Sequence, residues 1–180
     1  RGDYAGGAWW CDLSASRTLD GIVHAVAQGL DLPLGKGDPV AQIGQALAGR
    51  GPALLLLDNF EQVVVHAEAT VGAWLEQAPD CRVVVTSRER LQIRGEVCQV
   101  LEPMSSSEGI EMFCQRAEAL DSRFSQASAD HMTLSSLVQL LDGLPLAIEL
   151  AASRVGVLSL DELLQRLGDR FQLLRRQSKG

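Results

Sequence analysis

The segment that most constrains the fold is the run Leu54–Asp58, in which four consecutive leucines end in a single carboxylate. A strand covered by helices on both faces has a continuous apolar pattern, whereas a strand with one wet face alternates. We therefore predict a central strand of a parallel sheet. Ligands of open α/β sheets bind beyond the carboxyl ends of the strands, where Asp58 would lie. An Asp at this position is also common for turn or capping reasons, so the run alone leaves both interpretations open.

A second run, RVVVTSR at residues 82–88, is typical of a short β-branched strand that ends in polar residues. If the two strands are parallel neighbours, Thr86, Ser87 and Arg88 emerge at the same edge of the sheet as Asp58. Residues 60–77 between them have the length and apolar spacing of a crossover helix. The alternative is that Arg88 is a surface-loop charge, because other charged residues lie beside it: Glu89, Arg90, Arg94 and Glu96.

A third segment, LDGLPLAIELAA at residues 141–152, has a glycine that ends one helix and a proline early in the next. These positions have a complete structural explanation, since glycine suits a helix C-terminus and proline a first helical turn. Taken in order, however, LLLLDNFE, VVVTSRE and DGLPLAIELAA resemble the STAND class of P-loop ATPases. They are most similar to the NB-ARC-like ATPase modules of large bacterial transcriptional regulators. The resemblance covers residues 7 to about 174.

The resemblance implies a nucleotide site with ATP or ADP and Mg²⁺ as cofactors in the complete protein. Asp58 would be the Walker B ligand of Mg²⁺. Arg88, together with Thr86 and Ser87, would be the sensor segment that contacts the γ-phosphate. The Gly-x-Pro signature of the helical lid, Gly143 and Pro145 in this chain, would pack near the adenine.

The residue after the Walker B aspartate departs from many relatives, which carry a second acid there to position the attacking water. In this chain the position is Asn59, and the next carboxylate is Glu61. Either Glu61 takes the catalytic role or hydrolysis is slow. Slow turnover suits a switch, which needs distinct ADP and ATP states more than flux.

The phosphate-binding motif of the family, GxxxxGK[ST], is not found in this sequence. The segment around Lys36 is the nearest approach, but no Ser or Thr follows the lysine and no glycine lies at the required spacing. We therefore expect a fragment whose first strand, P-loop and first helix, about 30 to 40 residues, precede Arg1. For residues 1–180 alone we expect neither nucleotide binding nor catalysis.

Composition argues against a nucleic-acid surface. The net charge is −7, aromatic residues make up 4% of the chain, and the one local basic cluster is at the C-terminus, at Arg175, Arg176 and Lys179. An acidic chain with few aromatic residues is neither a phosphate-backbone binder nor a base-stacking platform. We expect the basic cluster to be a linker into a following domain, and no direct contact of this segment with nucleic acid.

The cysteines indicate a reduced compartment. Four widely spaced cysteines form no CxxC pair and have no histidine at zinc spacing. No signal peptide and no long apolar span is present. We therefore predict inert thiols, no membrane contact and a cytoplasmic protein.

The order of elements predicts an α/β class: a partial parallel-sheet P-loop NTPase core at residues 1–103, followed by a small four-helix lid domain at residues 104–178. In the core we predict strands at 8–13, 54–58, 82–86 and 96–101, and helices at 19–30, from Asp38 through Leu47, and at 60–77. Tryptophans 9 and 10 are expected on opposite faces of the sheet as packing residues. In the lid, capping boxes at Ser105 and Ser159 open two helices, a third spans about 128–141, a fourth begins at Pro145, and 121–129 is a polar connector.

Three functions fit these observations. The first is an ATP/ADP-driven regulatory switch fused to output or sensor domains, for which the resemblance implies assembly into oligomers on activation. The second is a non-hydrolysing pseudo-ATPase that serves as a protein-interaction scaffold. The third, a metabolic P-loop kinase, is the least favoured, because the sequence contains no substrate-binding motif and no second cluster of catalytic carboxylates.

Overall fold

The computed structural model describes residues 3–125 and 129–177, with side chains as far as residue 169. The chain divides into two compact units, the first ending at Gln99 and the second beginning at Val100. Each is described by itself. The domain bounds 1–103 and 104–178 stay a prediction, and Ser178 and Lys179 lie outside the described residues.

The first unit contains a parallel sheet of three strands, β1 (Ala8–Asp12), β2 (Leu54–Asp58) and β3 (Arg82–Val85). The strands lie in the order β1-β2-β3, so the leucine run is central among the described strands, as predicted. Asp12 pairs in register with Asp58. All three carboxyl ends therefore meet at one edge of the sheet.

The two faces of this sheet are covered unequally. Leu55 and Leu57 are fully buried, whereas Trp10 is 59% exposed and Val84 is 49% exposed. Both exposed residues pair in register with Leu56, so the three form one row on the same face. The prediction that helices cover both faces is therefore wrong for the described residues, and Trp10 is not the packing residue that we expected.

Two helices follow β1, and the residues that cap them can be identified in the sequence. Helix α1 (Leu19–Gly29) begins where the Thr18 side chain accepts a hydrogen bond from the Gly21 amide, and α2 (Pro39–Arg50) begins where Asp38 accepts one from the Val40 amide. Both predicted helices are confirmed. They contribute to the apolar core of the first unit, which includes these fully buried side chains: Ile22, Val26, Ile43, Leu47, Leu55, Leu57, Phe60 and Trp74.

The connection from β2 to β3 is not the single helix that we predicted. It consists of 3₁₀ turns at Phe60–Gln62 and Val64–His66, a π-helical turn at Glu68–Gly72, and only then the short helix α3 (Ala73–Gln77). The Thr70 hydroxyl donates to the His66 carbonyl at 2.7 Å, a side-chain bond that competes with regular helix winding. The buried residues nevertheless keep roughly helical spacing, which is why the pattern resembled a helix.

The strand predicted at 96–101 is wrong. Residues 96–101 have no regular structure, and Val97, Val100 and Leu101 are 93%, 66% and 88% exposed. The Glu96 carboxylate instead accepts hydrogen bonds from the amides of Leu91 and Gln92, both at 2.9 Å, and so closes a loop. The apolar residues Val97, Val100 and Leu101 suggested a strand, but no described strand pairs with this segment.

The second unit is helical throughout its described part, with α4 (Ser106–Leu120), α5 (His131–Leu140), α6 (Pro145–Ala152) and α7 (Leu160–Gln177). The predicted capping boxes are present, because Glu108 and Glu162 bond back to the amides of Ser105 and Ser159 at 2.9 Å. The core gathers side chains from all four helices: Ile110, Phe113, Leu134, Leu137, Ile148 and Leu163.

The start predicted for α5 needs correction. The helix begins at His131, because the Asp130 carboxylate accepts from the amides of Met132 and Thr133. Ser128 and part of the predicted connector lie outside the described residues. Across the described part of the chain, no helix combines the length and apolar character that a membrane crossing requires.

Candidate functional site

The backbone brings the ends of β2 and β3 together. The Thr86 amide donates to the Leu57 carbonyl at 3.0 Å, and the Phe60 amide donates to the Thr86 carbonyl at 3.0 Å. The parallel ladder therefore continues past the last residue of each strand. Asp58 and Thr86, which the sequence placed at one sheet edge, are adjacent in the structure.

The side chains of this pair are joined directly. The Thr86 hydroxyl donates to Oδ1 of Asp58, and the same hydroxyl oxygen accepts a hydrogen bond from the Asn59 amide at 3.0 Å. A hydroxyl that donates and accepts at once fixes the rotamers of both side chains. The carboxylate of Asp58 is thereby oriented by a neighbouring strand, and the described residues place no hydrogen bond on its second oxygen, Oδ2.

Asn59 turns the chain away from the sheet. Its backbone is left-handed, with φ 62° and ψ 51°, a conformation that asparagine tolerates better than most residues. The next residue, Phe60, is fully buried and anchors the turn. This sharp turn directs Glu61, the carboxylate that follows, back toward the loop after β3.

Glu61 forms an ion pair with Arg88, whose Nε lies 3.2 Å from the Glu61 Oε1. The arginine side chain is 83% exposed, whereas that of the glutamate is 14% exposed. The sequence predicted both residues at the site but not their contact. The structure therefore gathers Asp58, Thr86, Glu61 and Arg88 at the carboxyl edge of the sheet.

Ser87 does not join this group. Its hydroxyl accepts a hydrogen bond from the Glu89 amide at 3.1 Å, which closes the turn at the start of the loop. Within the described residues, no side-chain hydrogen bond links it to Asp58. The position of Ser87 is accounted for by local turn formation.

Sequence reasoning passed over one carboxylate at this edge. Asp12 ends β1 as Asp58 ends β2, and the two are paired in register. The Asp12 carboxylate accepts from the Ser14 amide at 2.8 Å, and this backbone hydrogen bond lowers the pKa of the exposed group. The available signal was the same as for Asp58: a carboxylate that directly follows an apolar strand.

The chemical capacity of the edge is that of an oxygen ligand beside a cation. Mg²⁺ prefers oxygen ligands and is commonly held by one or two carboxylates together with substrate phosphates, rather than by an all-protein cage. The described residues contain no group of three or more histidine, cysteine or acidic side chains arranged to hold a metal by themselves. Asp58 therefore suits a metal that arrives with a ligand.

The two lid positions belong to the second unit. Gly143 has φ 63° and is buried; a Cβ there would collide with the carbonyl oxygen of Met104, whose amide donates to the Gly143 carbonyl at 2.9 Å. Pro145 is exposed at the first turn of α6. Packing alone explains the glycine, and the proline presents a free apolar ring.

The thiols fit the prediction that they are inert. Burial raises the pKa of Cys11 to about 11 and also raises the pKa of Cys81 and of Cys114. The exposed Cys98 has a raised pKa because it bonds to the Glu96 carboxylate. A protonated thiol is a poor nucleophile and a poor metal ligand.

This chain is similar in sequence to segments of longer proteins. No protein-family profile matches it. An uncharacterized protein of Mycobacterium tuberculosis is 31% identical over 173 residues, which cover 96% of this chain and 44% of that protein. A second M. tuberculosis protein, named "Putative HTH-type transcriptional regulator", is 33% identical over 176 residues, 97% of this chain and 20% of that protein. The chain thus spans less than half the length of these curated relatives.

Proposed function

We propose that this chain is part of an ATP- or ADP-dependent regulatory switch of the NB-ARC-like type, within a bacterial signalling or transcriptional regulator. The observation that carries the proposal is that an oriented carboxylate, Asp58, and an exposed guanidinium, Arg88, both follow neighbouring parallel strands at the same edge of the sheet. The similarity to a segment of a protein named as an HTH-type regulator supports the regulatory part.

In this proposal each residue has a separate chemical role. Asp58 would hold Mg²⁺, while the Thr86 hydroxyl donates to Oδ1 and orients the carboxylate. Arg88 offers its guanidinium to a phosphate, a geometry for which arginine is well suited. Bound Mg²⁺ would supply neutralisation of the phosphate charge. Gly143 and Pro145 are assigned to adenine binding on the resemblance alone.

The phosphate-binding loop is assigned in this proposal to a part of the longer protein beyond residues 1–180. Two features of the sheet are consistent with a further strand and a further helix packed against it. Strand β3 is an edge strand among the described strands, and the face with Trp10 and Val84 is open. Edges and apolar faces of this kind are usually paired or covered in complete domains. An added strand and helix would cover both.

The other roles of the complete protein are proposals of the same kind. Any DNA contact is assigned to a domain outside residues 1–180, because this segment carries a net charge of −7. We propose fused output or sensor domains and assembly into oligomers on activation from the same resemblance. The proposal of a cytoplasmic location rests on the widely spaced cysteines and the lack of a long apolar span in the sequence.

The test is calorimetric titration of the full-length protein with ADP and ATP, with and without Mg²⁺. We expect binding that Mg²⁺ strengthens, and we expect Asp58→Asn to abolish the Mg²⁺ effect, since the amide keeps the Thr86 bond but loses the charge. Asp80→Asn is the matched control, an exposed aspartate at the opposite end of β3, and should leave the Mg²⁺ effect unchanged. Retained Mg²⁺ dependence in Asp58→Asn would refute the assignment.

A second function, an interaction scaffold without nucleotide, is favoured by two observations. The position after Asp58 holds Asn59 rather than an acid, and the sequence has no GxxxxGK[ST] motif. Full-length protein that binds neither ADP nor ATP in the titration would select the scaffold over the switch.

A further inference from the structure

The contact between Glu61 and Arg88 has a one-sided geometry. The Glu61 carboxylate accepts a hydrogen bond from Nε of the guanidinium, at 3.2 Å. A guanidinium carries five N–H donors, four of them on its two terminal nitrogens. Within the described residues, the hydrogen bond of Arg88 to Glu61 uses none of those four donors. Arg88 is therefore held along one side while its outer end faces solvent.

The two partners differ in how firmly the fold holds them. Glu61 is 14% exposed and follows Phe60, which is fully buried, whereas Arg88 is 83% exposed in a loop. A long, exposed arginine loses about 2 kcal/mol of rotamer freedom when a ligand fixes it. Because Glu61 already restrains Nε, Arg88 has lost part of its rotamer freedom before a ligand binds. The ligand therefore binds a preorganised arginine at a smaller entropic cost.

We propose that Glu61 is a positioning residue that aims Arg88 at a phosphate group, and not the base that activates the attacking water. This inference rests on the proposed nucleotide-binding function. The outward terminal nitrogens of Arg88 are the pair that a phosphate engages in a bidentate contact. Glu61 directs Oε1 at Nε of Arg88, which is the contact that a positioning residue makes. The substitutions below separate this role from that of a base.

Two substitutions separate positioning from base catalysis. Glu61→Gln keeps a carbonyl oxygen that accepts from Arg88 Nε but is no longer a base. Glu61→Ala removes the acceptor. A positioning role predicts that glutamine preserves affinity for phosphate and preserves turnover, whereas alanine weakens both. A base predicts that glutamine and alanine abolish turnover equally and leave affinity unchanged.

The probe is the β,γ-imido analogue of ATP with Mg²⁺, titrated calorimetrically into the full-length protein at low ionic strength, where exposed pairs are least screened. We expect about two- to five-fold weaker binding for Glu61→Ala, the range that exposed ion pairs support. Glu61→Gln should stay within about two-fold of wild type. In an Arg88→Gln background, Glu61→Ala should cause no further loss, because its effect acts through Arg88.

Glu89→Ala is the control, since this exposed carboxylate neighbours Arg88 in sequence and has no ion pair with it in the described structure. It should bind the analogue as wild type does. Equal affinities for wild type and Glu61→Ala, or an Ala effect that persists without Arg88, would overturn the positioning role while leaving the switch intact. Wild-type protein that does not bind the analogue would overturn the proposed function itself, and this inference with it.

Discussion

Replacing Gly143 by alanine tests whether this glycine is required by the fold rather than by a ligand. Its φ of 63° lies in the left-handed region, where an alanine costs about 1 kcal/mol more than glycine. The added methyl would collide with the Met104 carbonyl oxygen, so the chain must shift and weaken the 2.9 Å bond from the Met104 amide. That bond contributes about 1 kcal/mol, and strain adds to it. We expect a total loss of about 2–4 kcal/mol, without any nucleotide present.

The assay exploits where the tryptophans lie. All three, Trp9, Trp10 and Trp74, precede Gln99, so tryptophan fluorescence follows the first unit, whereas far-UV circular dichroism follows the helices of both. For a unit of this size, 1 kcal/mol shifts the melting temperature by about 4–8 °C. Gly143→Ala should therefore lower the dichroism transition of the second unit by about 8–32 °C and leave the fluorescence transition in place.

Two other glycines isolate the separate contributions. Gly95 has φ 79° with nothing within 4 Å of an added Cβ, so Gly95→Ala should cost only the conformational term of about 1 kcal/mol. Gly168 lies in α7 with nothing within 4 Å of an added Cβ, and Gly168→Ala should stabilise by up to about 1 kcal/mol. A loss for Gly143→Ala no larger than that for Gly95→Ala would refute the close-contact reasoning, and a shifted fluorescence transition would refute its confinement to the second unit.

Two further predictions concern packing and pH. Trp74 is fully buried and its indole N–H donates to the Val40 carbonyl at 3.0 Å, so Trp74→Phe should lower the free energy of unfolding by about 1–3 kcal/mol in urea titrations followed by dichroism; an unchanged midpoint would contradict this. Hydrogen bonds from the Ser105 hydroxyl and amide hold the pKa of Glu108 below its usual 4.5, so its contribution is complete above the unfolded-state pKa and is lost as pH falls through the lower, folded-state pKa. Melting temperatures between pH 6 and pH 3 should fall less steeply for Glu108→Gln than for wild type, and parallel curves would count against the capping argument.

Local signals predicted most of the helix starts. Capping boxes at Ser105 and Ser159 and the caps at Asp38 depend on hydrogen bonds within a few residues, so the sequence contains both partners. The strand pair at Asp58 and Thr86 was also predictable, because parallel strands bring their carboxyl ends to one edge. The parts of the fold that depend on distant partners were not predictable in this way.

The strand predicted at 96–101 and the continuous helix at 60–77 failed for that reason. An apolar pattern shows that a segment prefers burial or extension, but not whether a partner strand exists or how tightly a helix winds. The exposure of Val97 and the His66–Thr70 bond are properties of the assembled unit. The contact of Glu61 with Arg88 was likewise hidden, since it depends on the left-handed turn at Asn59.

That turn also limits which amino acids this position can accept. With φ 62°, residue 59 is in the left-handed region, which glycine, asparagine and aspartate adopt at low cost. Longer or β-branched side chains are strained in this conformation. An acid can therefore be restored directly after Asp58 with little backbone strain by the substitution Asn59→Asp. A glutamate at this position would be strained by the left-handed backbone conformation. The backbone conformation of this one residue thus restricts which amino acids evolution or design can place at this edge of the sheet.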